Sequence, residues 1–183
     1  MKIINVIIIA IWTLSGLYYG VGGYMSIVLL DQKEKAELGQ DVGLKIDDTI
    51  YRNMDQYKWF HNKKQLETVF PWLIKVPQSL AIIIAALSFG ILGGVTRLIK
   101  QIAFDDGVTL ENIRAVSIPT LGMLSGIIML GVTFIIPTVL TSGEQELRPT
   151  TLIFLTLFAG LFAKRFYEWL STCFHIIFPQ PKQ

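Results

Sequence analysis

Long apolar runs, rather than strand-like alternation, set the pattern of this chain. No charged residue occurs from Ile3 to Leu30. As a helix that stretch is about 42 Å long at 1.5 Å per residue. It can cross roughly 30 Å of hydrocarbon with tilt to spare. A second run, Pro77–Ile99, lies between Lys75 and the cations Arg97 and Lys100. A third covers Val116–Leu140, where Pro119 suits a helix entry and Pro137 weakens the last turn. The fourth opens on Pro149, a good first-turn residue, and stays apolar to Ala163 before meeting Lys164 and Arg165. The pattern predicts an all-α integral membrane protein with four transmembrane helices, over 1–30, 77–99, 116–140 and 149–166. Short loops at 100–115 and 141–148 join the later spans.

The fourth apolar run is short for a full crossing, and two readings stand. In one, Lys164 and Arg165 snorkel to the interface and the helix simply continues, the bland form of this being a bent continuation packed on its own bundle. In the other, a separate amphipathic tail follows over 167–183. Phe166, Trp169, Leu170, Cys173, Phe174 and Ile177 fall at helical spacing on one face, a stripe suited to a membrane surface or a partner helix.

Between the first two runs lies the only extended polar segment, Asp31–Val76. It is too long for a plain turn and too short for a free-standing core. It reads as helical. Asp48 or Thr49 is placed to cap a helix with Ile50, Met54 and Tyr57 on its apolar face. Asn62 with Gln65 resembles a capping box ahead of Leu66, Val69 and Phe70, and Pro71 then stops the helix. Trp59, Phe60, Phe70 and Trp72 suit anchoring at a membrane interface, which we favour over a ligand pocket.

Small residues recur on every span: Gly16 and Gly20; Ala86, Gly90 and Gly94; Gly122 and Gly126; Ala159 and Ala163. Spaced four apart, they form helix faces that let backbones approach closely. Such faces serve packing within the chain, and their repetition also favours a homo-oligomer. Gly16, Gly20, Gly22 and Gly23 sit among Tyr18, Tyr19 and Tyr24, which reads either as close packing or as a flexible point.

Composition narrows the function. Of 183 residues 52% are hydrophobic and 16% charged, with mean hydropathy +0.52. The net charge of +2 offers no basic stripe for direct nucleic-acid binding. One cysteine excludes a disulfide framework. The apolar character persisting to Leu30 favours an uncleaved first span over a signal peptide. Orientation is weakly encoded. An N-in, C-in arrangement places Arg97, Lys100, Arg114, Lys164 and Arg165 inside, yet leaves eight cations in the first loop outside.

No catalytic motif stands out, and no metal or cofactor is implied. His61 and His175 lack ligand spacing. Asp105 and Asp106 read as a solvated turn or a partner contact. The first three spans have no ionisable residue in their interiors, which argues against a pump or an ion-coupled carrier. Ser88, Thr96, Ser125 and Thr133 would line a pore if one formed in an oligomer, although such hydroxyls more often bond to their own helix.

The string PQSLAIIIAALSFGILGGVTRLIKQ, with the later LTLFAGLFAKRFYEWLS, resembles the spans of small four-span bacterial membrane proteins. Proteins of this shape are similar to the membrane subunit of Kiwa-type anti-phage systems. The resemblance covers roughly residues 77–178 and carries over no site residue. It implies a membrane-embedded oligomer that recruits a cytosolic effector. The leading expectation is therefore a non-enzymatic scaffold or sensor surrounded by membrane lipids. It assembles through the small-residue faces and meets a soluble protein partner. Arg97, Lys100, Asp105, Asp106, Lys164, Arg165, Phe166, Trp169 and Phe174 are the candidate partner or membrane-surface residues. An oligomeric pore or membrane-permeabilising effector is the alternative. An integral membrane enzyme using Asp105, Asp106, His61 or His175 ranks last.

Overall fold

The computed structural model describes residues 2–46, 49–104, 114–140 and 149–177. Among these the chain is mostly helical: α1 (Lys2–Leu38), α2 (Met54–Val69), α3 (Gln78–Phe104), α4 (Ser117–Leu140), α5 (Pro149–Leu161) and α6 (Ala163–Ile177). A two-stranded hairpin, β1 (Leu44–Ile46) and β2 (Thr49–Tyr51), lies between α1 and α2. Two helices, Ile3–Leu38 and Gln78–Phe104, are long and apolar enough to cross a membrane. The α5–α6 pair makes a third if it is counted as one broken span, bent by 92°. The part Ser117–Thr133 of α4 is apolar and shorter.

The chain divides into two compact units, one from Val21–Ala85 and the other from 1–20 with 86–183. In the first, α1 runs past Leu30, where its charge-free stretch ends, to Leu38. The added residues, DQKEKAEL, are mostly strong helix formers. Lys35 lies 2.7 Å from Asp31 and Lys33 lies 3.6 Å from Glu37, both at i,i+4 spacing. The helix stops before Gly39.

The loop segment is less uniformly helical than its composition suggests. Thr49 and Ile50 belong to β2, with Lys45 opposite Ile50 and Ile46 opposite Thr49, so neither serves a helix. Residues favouring extended backbone, Thr-Ile-Tyr, follow Gly43, whose φ of +65° suits glycine. Asp48 lies outside the described residues. The cap of α2 is Asn53, whose side chain accepts from the Gln56 backbone N–H at 2.8 Å. The Gln56 side chain in turn accepts from the Arg52 backbone N–H at 2.6 Å. This is a capping box set one residue wide of its usual partner, and it replaces the one expected at Asn62 and Gln65. Those two lie inside α2, because the two anticipated helices are one. The stop before Pro71 falls where expected, with Phe70 as the C-cap.

Asn53 also donates to the Ala36 carbonyl at 3.0 Å, tying the start of α2 to the end of α1. Farther along α1, the Ser26 hydroxyl lies 2.9 Å from the Gly22 carbonyl and 3.0 Å from the Leu73 carbonyl. Leu73 is wholly buried. A Cβ on Gly22 would strike Leu73 and lie 2.7 Å from Phe70, so glycine is what admits both side chains. Gly23 likewise faces α3 backbone, 3.1 Å from the Ala85 nitrogen. Close packing, rather than a flexible point, is the role this geometry gives Gly22 and Gly23.

The second unit holds the glycine-rich faces. Its helices are α4, α5 and α6, together with the parts of α1 and α3 that fall within it. Pro119 sits in the first turn of α4 and is fully buried. Three hydroxyls of α4 and α5 turn back onto their own helices. Ser125 donates to Leu121 and Thr133 to Leu130, each at 2.8 Å, and Thr156 donates to Ile153 at 3.0 Å.

Candidate functional site

The centre of the second unit is Gly90 of α3. A Cβ there would meet the Gly122 carbonyl and lie 3.1 Å from the Gly126 Cα, both on α4. Three neighbouring positions repeat the situation. A Cβ on Gly94 would be 2.9 Å from the Ile118 carbonyl and 3.0 Å from the Pro119 Cα. One on Gly126 would meet the Ala86 carbonyl, and one on Gly122 the Gly90 carbonyl. The ladder Ala86–Gly90–Gly94 therefore lies directly on Gly122 and Gly126, with backbone against backbone. This is the small-residue contact that lets helices approach without side chains between them.

A second seam joins α3 to α5 and uses residues outside the regular four-residue spacing. A Cβ on Gly93 would meet the Leu157 carbonyl and lie 2.7 Å from the Leu161 nitrogen. One on Gly160 would meet the Gly90 carbonyl. Gly93 stands three residues from Gly90, so the pair serves two adjacent faces of one helix. A search for i,i+4 pairs alone passes over it. Ala159 and Ala163 are both buried. On α1, a Cβ on Gly16 would lie 3.0 Å from Leu92 and one on Gly20 3.4 Å from Ser88, both on α3.

These contacts change what the glycines can report. Gly90 and Gly94 are already covered by α4 and α5 of the same chain. Replacing them with leucine therefore perturbs the fold itself, and the oligomeric state of such a variant cannot be attributed to an interface between copies.

Close to the Gly93–Gly160 seam the chain turns. α5 ends at Leu161, Phe162 breaks the helix, and α6 sets off at 92°. The fourth span expected over 149–166 is thus two elements, with the boundary at Phe162 rather than after 166. The helix does not simply continue; the bend and the packing of α6 match the bent alternative. α6 packs on both α4 and α5. Lys164 and Arg165 are exposed at its start, and Lys164 stands 3.9 Å from Glu168. Phe166 stacks on Trp169 with ring centroids 6.1 Å apart, while Trp169 remains 54% exposed. Phe174 belongs to the last turns of α6, and nothing further is described of its side chain.

The other anticipated surface residues do not join this cluster. Arg97 and Lys100 lie within α3, which continues past the expected end at 99 to Phe104. Asp105 and Asp106 lie outside the described residues. His61 is in α2, 2.9 Å from Gln65 and stacked on Tyr57, whereas His175 is in α6. Among the described residues no group of three His, Cys, Asp or Glu side chains is placed to hold a metal. Of the hydroxyls considered for a pore, Thr96, Ser125 and Thr133 each bond a carbonyl of their own helix. Ser88 is buried.

Polar contacts that no motif announces also lie in the Val21–Ala85 unit. Asp41 and Arg52 form a two-pronged ion pair, with contacts of 2.7 and 3.0 Å. The hydrogen bond from the guanidinium holds the Asp41 carboxyl below the usual carboxylate range and raises the arginine in turn. Asn62 donates to Gln32 at 3.0 Å. Separations of 11 and 30 residues leave no local spacing that would disclose either contact.

No family model, curated protein or solved structure matches the chain.

Proposed function

We propose that the chain is an integral membrane protein with four spans, α1, α3, α4 and α5, the 13-residue α5 crossing where the bilayer thins locally to meet it, acting as a non-enzymatic scaffold or sensor subunit of an oligomer. In this reading α6 carries the signal. A helix in contact with both α4 and α5, joined to α5 by a sharp turn beside a glycine seam, must move when those two helices repack. A disturbance of the bilayer that alters helix packing would thus reach Lys164, Arg165, Phe166 and Trp169. The single supporting observation is the 92° turn immediately after the Gly160 contact. A span along the bilayer normal would lay α6 along the membrane surface, its exposed cations and Trp169 at headgroup level.

With both termini in the cytoplasm, α6 faces a cytosolic partner. In the setting implied by the resemblance to anti-phage membrane subunits, that partner is a defence effector. The pore reading has no comparable support, since Thr96, Ser125 and Thr133 are bonded to their own helices and Ser88 is buried.

The test is affinity isolation of the intact complex from native membranes, using the natural chain and a variant carrying Lys164→Glu, Arg165→Glu and Trp169→Ala. The variant should stay membrane-embedded and lose its soluble partner. Undiminished recovery of the partner would remove α6 from the role. Recovery of the natural chain as a folded monomer in detergent-free buffer would overturn the membrane reading.

A further inference from the structure

Between α1 and α2, within the Val21–Ala85 unit, lies an open groove of about 260 Å³. Four apolar side chains, Met25, Val28, Leu29 and Leu66, line it together with three uncharged amides, Gln32, Asn62 and Gln65. On α1 the apolar members belong to the charge-free stretch that ends at Leu30, and Gln32 follows the first charge, Asp31. The groove therefore straddles the point where α1 passes from hydrocarbon-like to water-like composition.

We propose that this groove binds one acyl chain of a membrane glycerolipid, with the ester and glycerol region of that lipid against the amides. The inference rests on the membrane reading above. Three observations select this occupant. A lining that passes along α1 from apolar side chains to an amide fits an amphiphile lying across an interface. Amides supply donors and acceptors together, and the bond from Asn62 to Gln32 uses only part of their capacity. Ester carbonyls and glycerol oxygens match such groups. Finally, none of the residues lining the groove is charged. The groove thus offers no dedicated site for a charged headgroup. The volume is below the roughly 300 Å³ at which drug-sized pockets begin, and suits a segment of one chain rather than a whole lipid.

The experiment places the full chain in nanodiscs of phosphatidylcholine and phosphatidylglycerol. A small fraction of one lipid carries a diazirine near the acyl carboxyl, and adducts are mapped by mass spectrometry. Adducts are expected at Met25–Leu29 and Asn62–Gln65, with equal yield from either headgroup. Val28→Trp, which fills the groove, should lower them about tenfold, the effect of losing some 1.4 kcal/mol of binding. Adducts at Ile3–Leu17 should be unchanged. In the natural chain, excess lysophosphatidylcholine should compete away the groove adducts alone, so the outcome does not depend on the variant folding.

Adducts at Ile3–Leu17 without any at the groove would overturn the groove and leave the membrane reading standing. Adducts at neither would overturn both. A tenfold preference for phosphatidylglycerol would refute recognition by an uncharged lining. Crosslinks from the groove residues to a second copy of the chain would refute lipid as the occupant.

Discussion

Adding one methyl group at Gly90 and one at Gly131 should shift stability in opposite directions. Both residues lie in helices, and alanine is intrinsically preferred there by about 1 kcal/mol. At Gly131 nothing lies within 4 Å of the new Cβ, so the gain is kept. At Gly90 the methyl meets the Gly122 carbonyl and comes within 3.1 Å of the Gly126 Cα. The opposing atoms are backbone, so no side chain can swing aside. Overpacking costs about 1–3 kcal/mol, and a rigid neighbour places this case at the upper end. Subtracting the helix preference leaves Gly90→Ala destabilised by about 2 kcal/mol. For a chain of this size that is roughly 4–8 °C in midpoint, against a rise of about 2–4 °C for Gly131→Ala. Thermal unfolding of the full chain in one detergent, followed by circular dichroism, measures both. Midpoints moving together, or an unchanged Gly90→Ala, would show that α3 and α4 do not meet through this ladder.

Three further outcomes follow from the Val21–Ala85 unit. Asn53→Ala removes the cap of α2 and strands the Ala36 carbonyl's partner contact, which should cost about 1–2 kcal/mol in chemical denaturation of the detergent-solubilised chain. Ser26→Ala should cost about 0.5–1.5 kcal/mol through loss of the bond to Leu73, read as faster amide exchange in the turn at Leu73–Lys75. The Asp41–Arg52 pair should stabilise the hairpin above the ordinary carboxylate range and lose that effect as pH falls through the depressed value of Asp41. Protection factors at the Val42 and Gly43 amides, both bonded to the Arg52 carbonyl, should fall on acidification in the natural chain and vary less in Asp41→Asn.

Much of the helical framework is legible without coordinates. A charge-free stretch from Ile3 to Leu30 forces a long apolar helix, and Pro71 and Pro119 mark a stop and a start because proline lacks an amide proton and has a fixed φ. Even here the extension of α1 to Leu38 depends on side-chain pairs such as Asp31 with Lys35, which a hydropathy reading overlooks. The two helices expected in the first loop became a hairpin and one helix, because Thr49, Ile50 and Tyr51 favour extended backbone and Asn53 offers the better cap.

By itself, then, the sequence determined where apolar helices run and which of their faces carry small residues, since both are properties of one segment and its period. Tertiary structure alone decided that Gly93 and Gly160 share a seam with Gly90, that α5 turns at Phe162, and that Gln32 meets Asn62. The first and the last depend on the distance between two backbones that the chain brings together from far apart, and the turn at Phe162 lies beside the first of these seams. Such a distance is fixed by the joint packing of both partners, and neither partner's local spacing contains it.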